Sequence, residues 1–61
     1  MKRYLLFGCQ GNLKGWHTYY SSFRTFDQAK NTARIFMDSG AWEWCQIVDG
    51  NTGELIAENQ Y

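Results

Sequence analysis

The chain has 61 residues, of which 44% are hydrophobic and 18% aromatic, with six Lys plus Arg balanced by six Asp plus Glu and no proline. A chain of about 60 residues has room for one core and buries only about 60% of the surface it exposes when unfolded, so residues 1–61 are read as a single domain. No apolar run approaches the ~20 residues that span a bilayer, and the start, Met1-Lys2-Arg3-Tyr4-Leu5-Leu6-Phe7-Gly8, has too short an apolar stretch for a signal peptide; no membrane partner and a cytoplasmic location are expected.

Residues 3–9 read as a strand that is apolar on both faces, with Leu5, Phe7 and Cys9 alternating against Tyr4, Leu6 and Gly8. Such a strand belongs in the middle of a sheet. Gly11-Asn12-Leu13-Lys14-Gly15 is a turn or loop, and Trp16-His17-Thr18-Tyr19-Tyr20-Ser21-Ser22-Phe23 again favours extended structure.

Thr25-Phe26-Asp27-Gln28 is a capping box, in which the Thr25 hydroxyl accepts from the Gln28 amide, and it predicts a helix start. Phe26, Ala29, Ala33, Phe36 and Met37 recur at helical steps as far as Ser39-Gly40, where glycine suits a left-handed cap; the helix is predicted over 26–39. Its outer face carries Asp27, Lys30, Asn31 and Arg34, with the two bases set against Asp27. Ala29 and Ala33 let its axis approach a sheet closely.

Trp42-Glu43-Trp44-Cys45-Gln46-Ile47-Val48, the turn cluster Asp49-Gly50-Asn51-Thr52-Gly53, and Glu54-Leu55-Ile56-Ala57-Glu58 read as a hairpin with Gly53 in the left-handed position. A four-residue loop pairs Asp49 with Glu54, Val48 with Leu55, Ile47 with Ile56 and Cys45 with Glu58. One face then holds Trp42, Trp44, Gln46, Val48, Leu55 and Ala57, which is assigned to the helix; the other holds Glu43, Cys45, Ile47, Asp49, Glu54, Ile56 and Glu58. A slip of one residue would exchange the two sets. The fold class is therefore α+β, a three- to four-stranded, largely antiparallel sheet with one helix, ββαββ or βαββ.

Chemistry is sparsely represented. His17 is the single histidine, and Cys9 and Cys45 are 36 positions apart, so no short-range pair nucleates a metal site and no cofactor is expected. The cysteines are read as reduced structural thiols. A nucleophilic Cys-His pair would also need an oxyanion site and a cleft, which a domain with one helix scarcely encloses, so no catalytic residue and no enzyme activity are expected. Asp49 to Glu54 has the outline of a calcium loop but lacks the alternating ligands and distal glutamate, and is read as the hairpin turn.

The eleven aromatic residues exceed what so small a core needs. Phe26, Phe36, Trp42 and Trp44 fill the helix-sheet layer, while Trp16, Tyr19, Tyr20 and Tyr61 are left either to cover the open sheet face or to form an interaction surface. Charge is segregated as well: residues 1–26 carry +4, residues 27–34 carry +1, and residues 35–61 carry −5 without a base. Glu43, Glu54 and Glu58 around Ile47, Ile56 and Cys45 would make an apolar centre with an acidic rim, a protein-docking patch suited to a basic surface.

Tyr4-Leu5-Leu6-Phe7, Gly15-Trp16, Ser22-Phe23-Arg24-Thr25-Phe26-Asp27-Gln28-Ala29 and Gln46-Ile47-Val48-Asp49-Gly50-Asn51-Thr52-Gly53-Glu54 together resemble small, mostly uncharacterised bacteriophage and cyanophage proteins. The plan of one helix on a small sheet is also similar to that of certain phage-encoded inhibitors of host RNA polymerase, without a shared motif. The resemblance implies a small viral accessory protein. The leading expectation is thus a non-enzymatic module, monomer or weak homodimer, that binds and modulates a host protein with a basic surface through Glu43, Ile47, Glu54, Ile56, Glu58, Trp16 and Tyr19. The alternative is a single-stranded nucleic-acid binder that stacks bases on Trp16, Tyr19 and Tyr20 and holds phosphates with Lys2, Arg3, Lys14 and Arg24. A pI near 6.5 weighs against it, because such binding draws on counterion release from a basic surface.

Overall fold

The computed structural model describes residues 3–11 and 18–59. The elements are β1 (Tyr4–Cys9), β2 (Tyr19–Phe23), α1 (Phe26–Asp38), β3 (Trp44–Asp49) and β4 (Leu55–Glu58), in the order ββαββ. All pairings are antiparallel, and the strands lie in the order β2-β1-β3-β4. β1 takes a central position, as its two apolar faces require. The expected strand over 16–23 is observed as β2, with Trp16 and His17 outside the described residues.

The helix begins where its capping box places it. Thr25 is extended (φ −125°, ψ 151°), its Oγ1 accepts from the Gln28 N–H at 3.2 Å, and its carbonyl accepts from the Ala29 N–H. The helix ends at Asp38, and Gly40 follows at φ +82°, donating to the Met37 carbonyl. On the outer face Arg34 bonds Asn31 Oδ1 at 2.8 Å and the Lys30 ammonium lies over the Phe26 ring, instead of either turning to Asp27.

The core lies between the helix and one face of the sheet. Leu6, Ala29, Ala33, Cys45, Ile47 and Ala57 are buried together, with Tyr4, Phe23, Phe26, Met37 and Trp42 packed around them. This reverses the assignment of the β3 faces, while Ala57 of β4 lies under the helix as expected. Cys45 and Ile47, expected outside, lie under the helix, while Trp44, Gln46 and Val48 alternate to the opposite face. The physical reason is the closeness that Ala29 and Ala33 impose: both are fully buried, and a gap that narrow accepts Ile47 and Cys45 but not an indole.

Trp42 nevertheless packs on the helix side, because it precedes β3 and escapes the alternation. Its ring lies directly on Gly8, stacks on Phe36 at 4.4 Å and 24°, and meets Tyr20 edge-on at 5.5 Å. Tyr20 also meets Phe36 at 5.0 Å, closing an aromatic trio beside the end of α1.

Both outer strands carry a bulge. Tyr20 is the extra residue opposite the Leu6/Phe7 step, and Ile56 is the extra residue opposite Ile47/Val48. The second corrects the expected register: Val48 does face Leu55, and Asp49 bonds Glu54, but Ile47 faces Ala57, and Glu58 faces Gln46 instead of Cys45. Asn59, in the left-handed region at φ 56°, continues the ladder by donating its N–H to the Cys45 carbonyl and accepting the Cys45 N–H on its side-chain oxygen.

Candidate functional site

The sheet register fixes what lies on the face opposite α1. Ser22, Leu5, Val48 and Leu55 form one row across the four strands; Tyr19, Phe7, Gln46 and Glu58 form the next; Cys9 and Trp44 follow. Phe7 and Trp44 are buried, each 5% exposed, and the Phe7 ring meets Tyr19 at 5.7 Å. The row nearer the Tyr4 and Asp49 end is more open: Leu5 and Val48 are half-buried, and Leu55 is 48% exposed.

Edge strand β4 adds the second component. Leu55 and Ile56 are adjacent exposed apolar side chains, preceded by Glu54 and followed two positions later by Glu58. The bulge brings this about: it takes Ile56 out of register with Ile47 while Ala57 fills the core position. Glu54 leaves a turn organised by Asp49, whose Oδ1 accepts from the Asn51 and Thr52 N–H groups, while the Thr52 hydroxyl accepts from the Glu54 N–H. Gly53 supplies the left-handed residue at φ +77°.

The predicted site residues therefore divide. Glu54, Ile56 and Glu58 come together along β4. Ile47 leaves the group, fully buried beneath the helix, and Cys45 leaves with it. Glu43 lies at the other end of β3, where its Oε1 accepts from the Gly11 N–H at 3.0 Å and its own N–H bonds the Cys9 carbonyl; it holds the turn after β1. Glu58 is not a simple rim charge, since its Oε2 accepts from the Trp44 indole N–H at 2.9 Å. Tyr19 is 46% exposed on the opposite edge. The expectation placed on Trp16 lies outside the described residues, as do those on His17, Lys2, Lys14 and Tyr61. Tyr20, proposed as a base-stacking platform, has its ring engaged by Phe36 and Trp42.

Leu55 is the residue that sequence reasoning missed. Its signal was present in its pairing with Val48, but the reversed faces sent both to the core. The two cysteines lie on opposite faces of the sheet, with Cys9 paired to Trp44 and Cys45 to Gly8. Burial pushes the Cys45 thiol above its ordinary pKa, against a smaller opposing effect of the Asn59 backbone N–H.

Comparisons with protein-family models, with curated proteins and with solved structures find no match for this chain. Among the described residues no helix is long and apolar enough to cross a membrane.

Proposed function

We propose that this chain is a non-enzymatic binding module that docks on a basic protein surface through β4. The observation that carries this reading is the strip of residues 54–58, in which the exposed Leu55 and Ile56 stand between Glu54 and Glu58 on an edge strand. Adjacent apolar side chains supply the contact that persists in a complex, and flanking acids steer a basic partner into place. The stretch 35–61, which holds this strip, has five acids and no base. The resemblance to small phage proteins supports the further step that the partner is a host protein, met in the host cytoplasm and modulated by binding alone.

The test is capture from nuclease-treated host lysate with immobilised wild type, Glu54→Lys and Ile56→Ser. The reading expects a nuclease-resistant protein that wild type retains and both variants lose. Capture that vanishes with nuclease and depends on Tyr19 instead of Ile56 would move the site to the basic half of the chain and favour nucleic acid.

A further inference from the structure

The end of the sheet where β1 begins carries two arginines side by side. Tyr4 pairs with Phe23, so Arg3 and Arg24 are the next opposed positions of the same ladder, and Gly50, whose N–H donates to the Arg3 carbonyl at 2.8 Å, is the neighbour of Arg3 on the β3 side. Both arginines are exposed, and among the described residues no ion pair or side-chain hydrogen bond engages either guanidinium. Like charges set opposite one another destabilise a sheet, and residues 1–26, which supply both strands, hold no acid.

The register puts this pair on the face opposite α1. Phe23 and Tyr4 pack around the core under the helix, so alternation turns Arg24 and Arg3 the other way. A Cβ built on Gly50 would lie 3.2 Å from the Arg3 Cβ and 3.5 Å from Leu5 Cδ2, which sets Arg3 on the same side as Leu5. The half-buried Leu5 and Val48 form the next row, and glycine at position 50 places no side chain over the corner between that row and Arg3.

From this corner we propose a second docking site, independent of the β4 strip: Arg3 and Arg24 together hold the carboxylate of an extended acidic segment of another protein, whose aliphatic residue two positions away lies on Leu5 and Val48. Two positions along an extended chain span about 6.5–7 Å, which is also the step from Arg3 to Leu5 along β1, so a segment of the form acid-x-aliphatic matches both. Two adjacent guanidiniums suit a carboxylate, whose two oxygens accept several charge-assisted hydrogen bonds at once. Nucleic acid suits the corner less, because the row beside the arginines is aliphatic and the exposed ring on this face, Tyr19, stands beyond it, against Phe7. Glu58, paired with Gln46 on the same face beyond the aliphatic row, opposes a segment laid with its acid at the other end.

The experiment titrates isotopically labelled protein with a capped Ser-Glu-Ser-Leu-Ser peptide at low salt and follows the amide NMR shifts, with the glutamine version of the peptide and a short oligothymidine as comparisons. The acidic peptide should shift the amides of Leu5, Arg24 and Val48 saturably. Replacing its glutamate by glutamine, or reversing either arginine as Arg3→Glu or Arg24→Glu, should weaken binding about five-fold or more. Glu54→Lys, which tests the β4 reading, should not weaken it, so the two docking sites fail separately. Circular dichroism confirms the fold of each variant. Absence of shifts in wild type, equal binding of the glutamine peptide, shifts confined to β4, or an oligothymidine that binds through the same arginines more tightly than the peptide would each overturn the proposal.

Discussion

Replacing Gly8 by alanine tests the helix-side packing at its tightest point. Gly8 pairs with Cys45 on the helix face, and a Cβ built on it runs into the Trp42 ring itself, so the indole must move. It has little freedom to do so, being stacked on Phe36 at 4.4 Å and met by Tyr20 at 5.5 Å. Losing those two aromatic contacts costs about 1–3 kcal/mol, at about 0.5–1.5 kcal/mol each, and keeping them in place costs a similar overpacking strain. The intrinsic gain from removing a glycine within a strand, about 0.5–1 kcal/mol, offsets only part of this. A net loss near 1–2 kcal/mol lowers Tm by about 4–16 °C in a domain this small. Thermal melts followed by circular dichroism read the change directly. The same substitution in a Trp42→Ala background should be neutral or slightly stabilising, because the obstruction is gone. An unchanged Tm for Gly8→Ala, or an equal loss in both backgrounds, would refute the placement of Trp42 on Gly8.

Ala33→Leu should destabilise by about 1–3 kcal/mol, measured by urea denaturation, since Ala33 is fully buried where the helix meets the sheet. Gly53→Val should lower Tm although its Cβ would meet nothing within 4 Å, because a β-branched residue is strained at φ +77°; Gly53→Asn, which tolerates that region, should lose less. Because burial raises the folded-state pKa of Cys45, its contribution to stability is present below the thiol's ordinary pKa of 9.0 and is lost as the pH rises through the folded-state value. Denaturation midpoints should fall in that alkaline range for wild type, and fall less steeply for Cys45→Ala.

The parts of the fold written in local chemistry were legible in the sequence. Thr25 and Gln28 mark the helix start, Gly40 its end, Asp49 to Gly53 the hairpin turn, and the doubly apolar β1 its central position. What could not be read locally was which face of β3 meets the helix. Cys45 and Ile47 alternate with Trp44, Gln46 and Val48, and both sets contain enough apolar surface to be buried. The decision rests on a distant fit between the small Ala29 and Ala33 and the small Cys45, with Gly8 clearing space for the one indole that does enter the layer. The Ile56 bulge was hidden for a related reason, since it satisfies the burial of Ala57 and not any preference within residues 54–58. The acidic strip survived that error because Glu54, Ile56 and Glu58 are near neighbours along the chain, at and within β4, whereas Ile47, brought in through register, did not.

The docking account rests on Glu54 as a steering charge beside an apolar contact, and the association rate of the captured host protein with wild type and Glu54→Lys, measured at several salt concentrations, tests it most directly. Both exposed side chain and turn backbone suggest that this reversal leaves the fold intact, costing about 0–1 kcal/mol. The account predicts slower association for Glu54→Lys at low salt and a difference that shrinks as salt rises, with dissociation little changed. Equal association rates at low salt would contradict it.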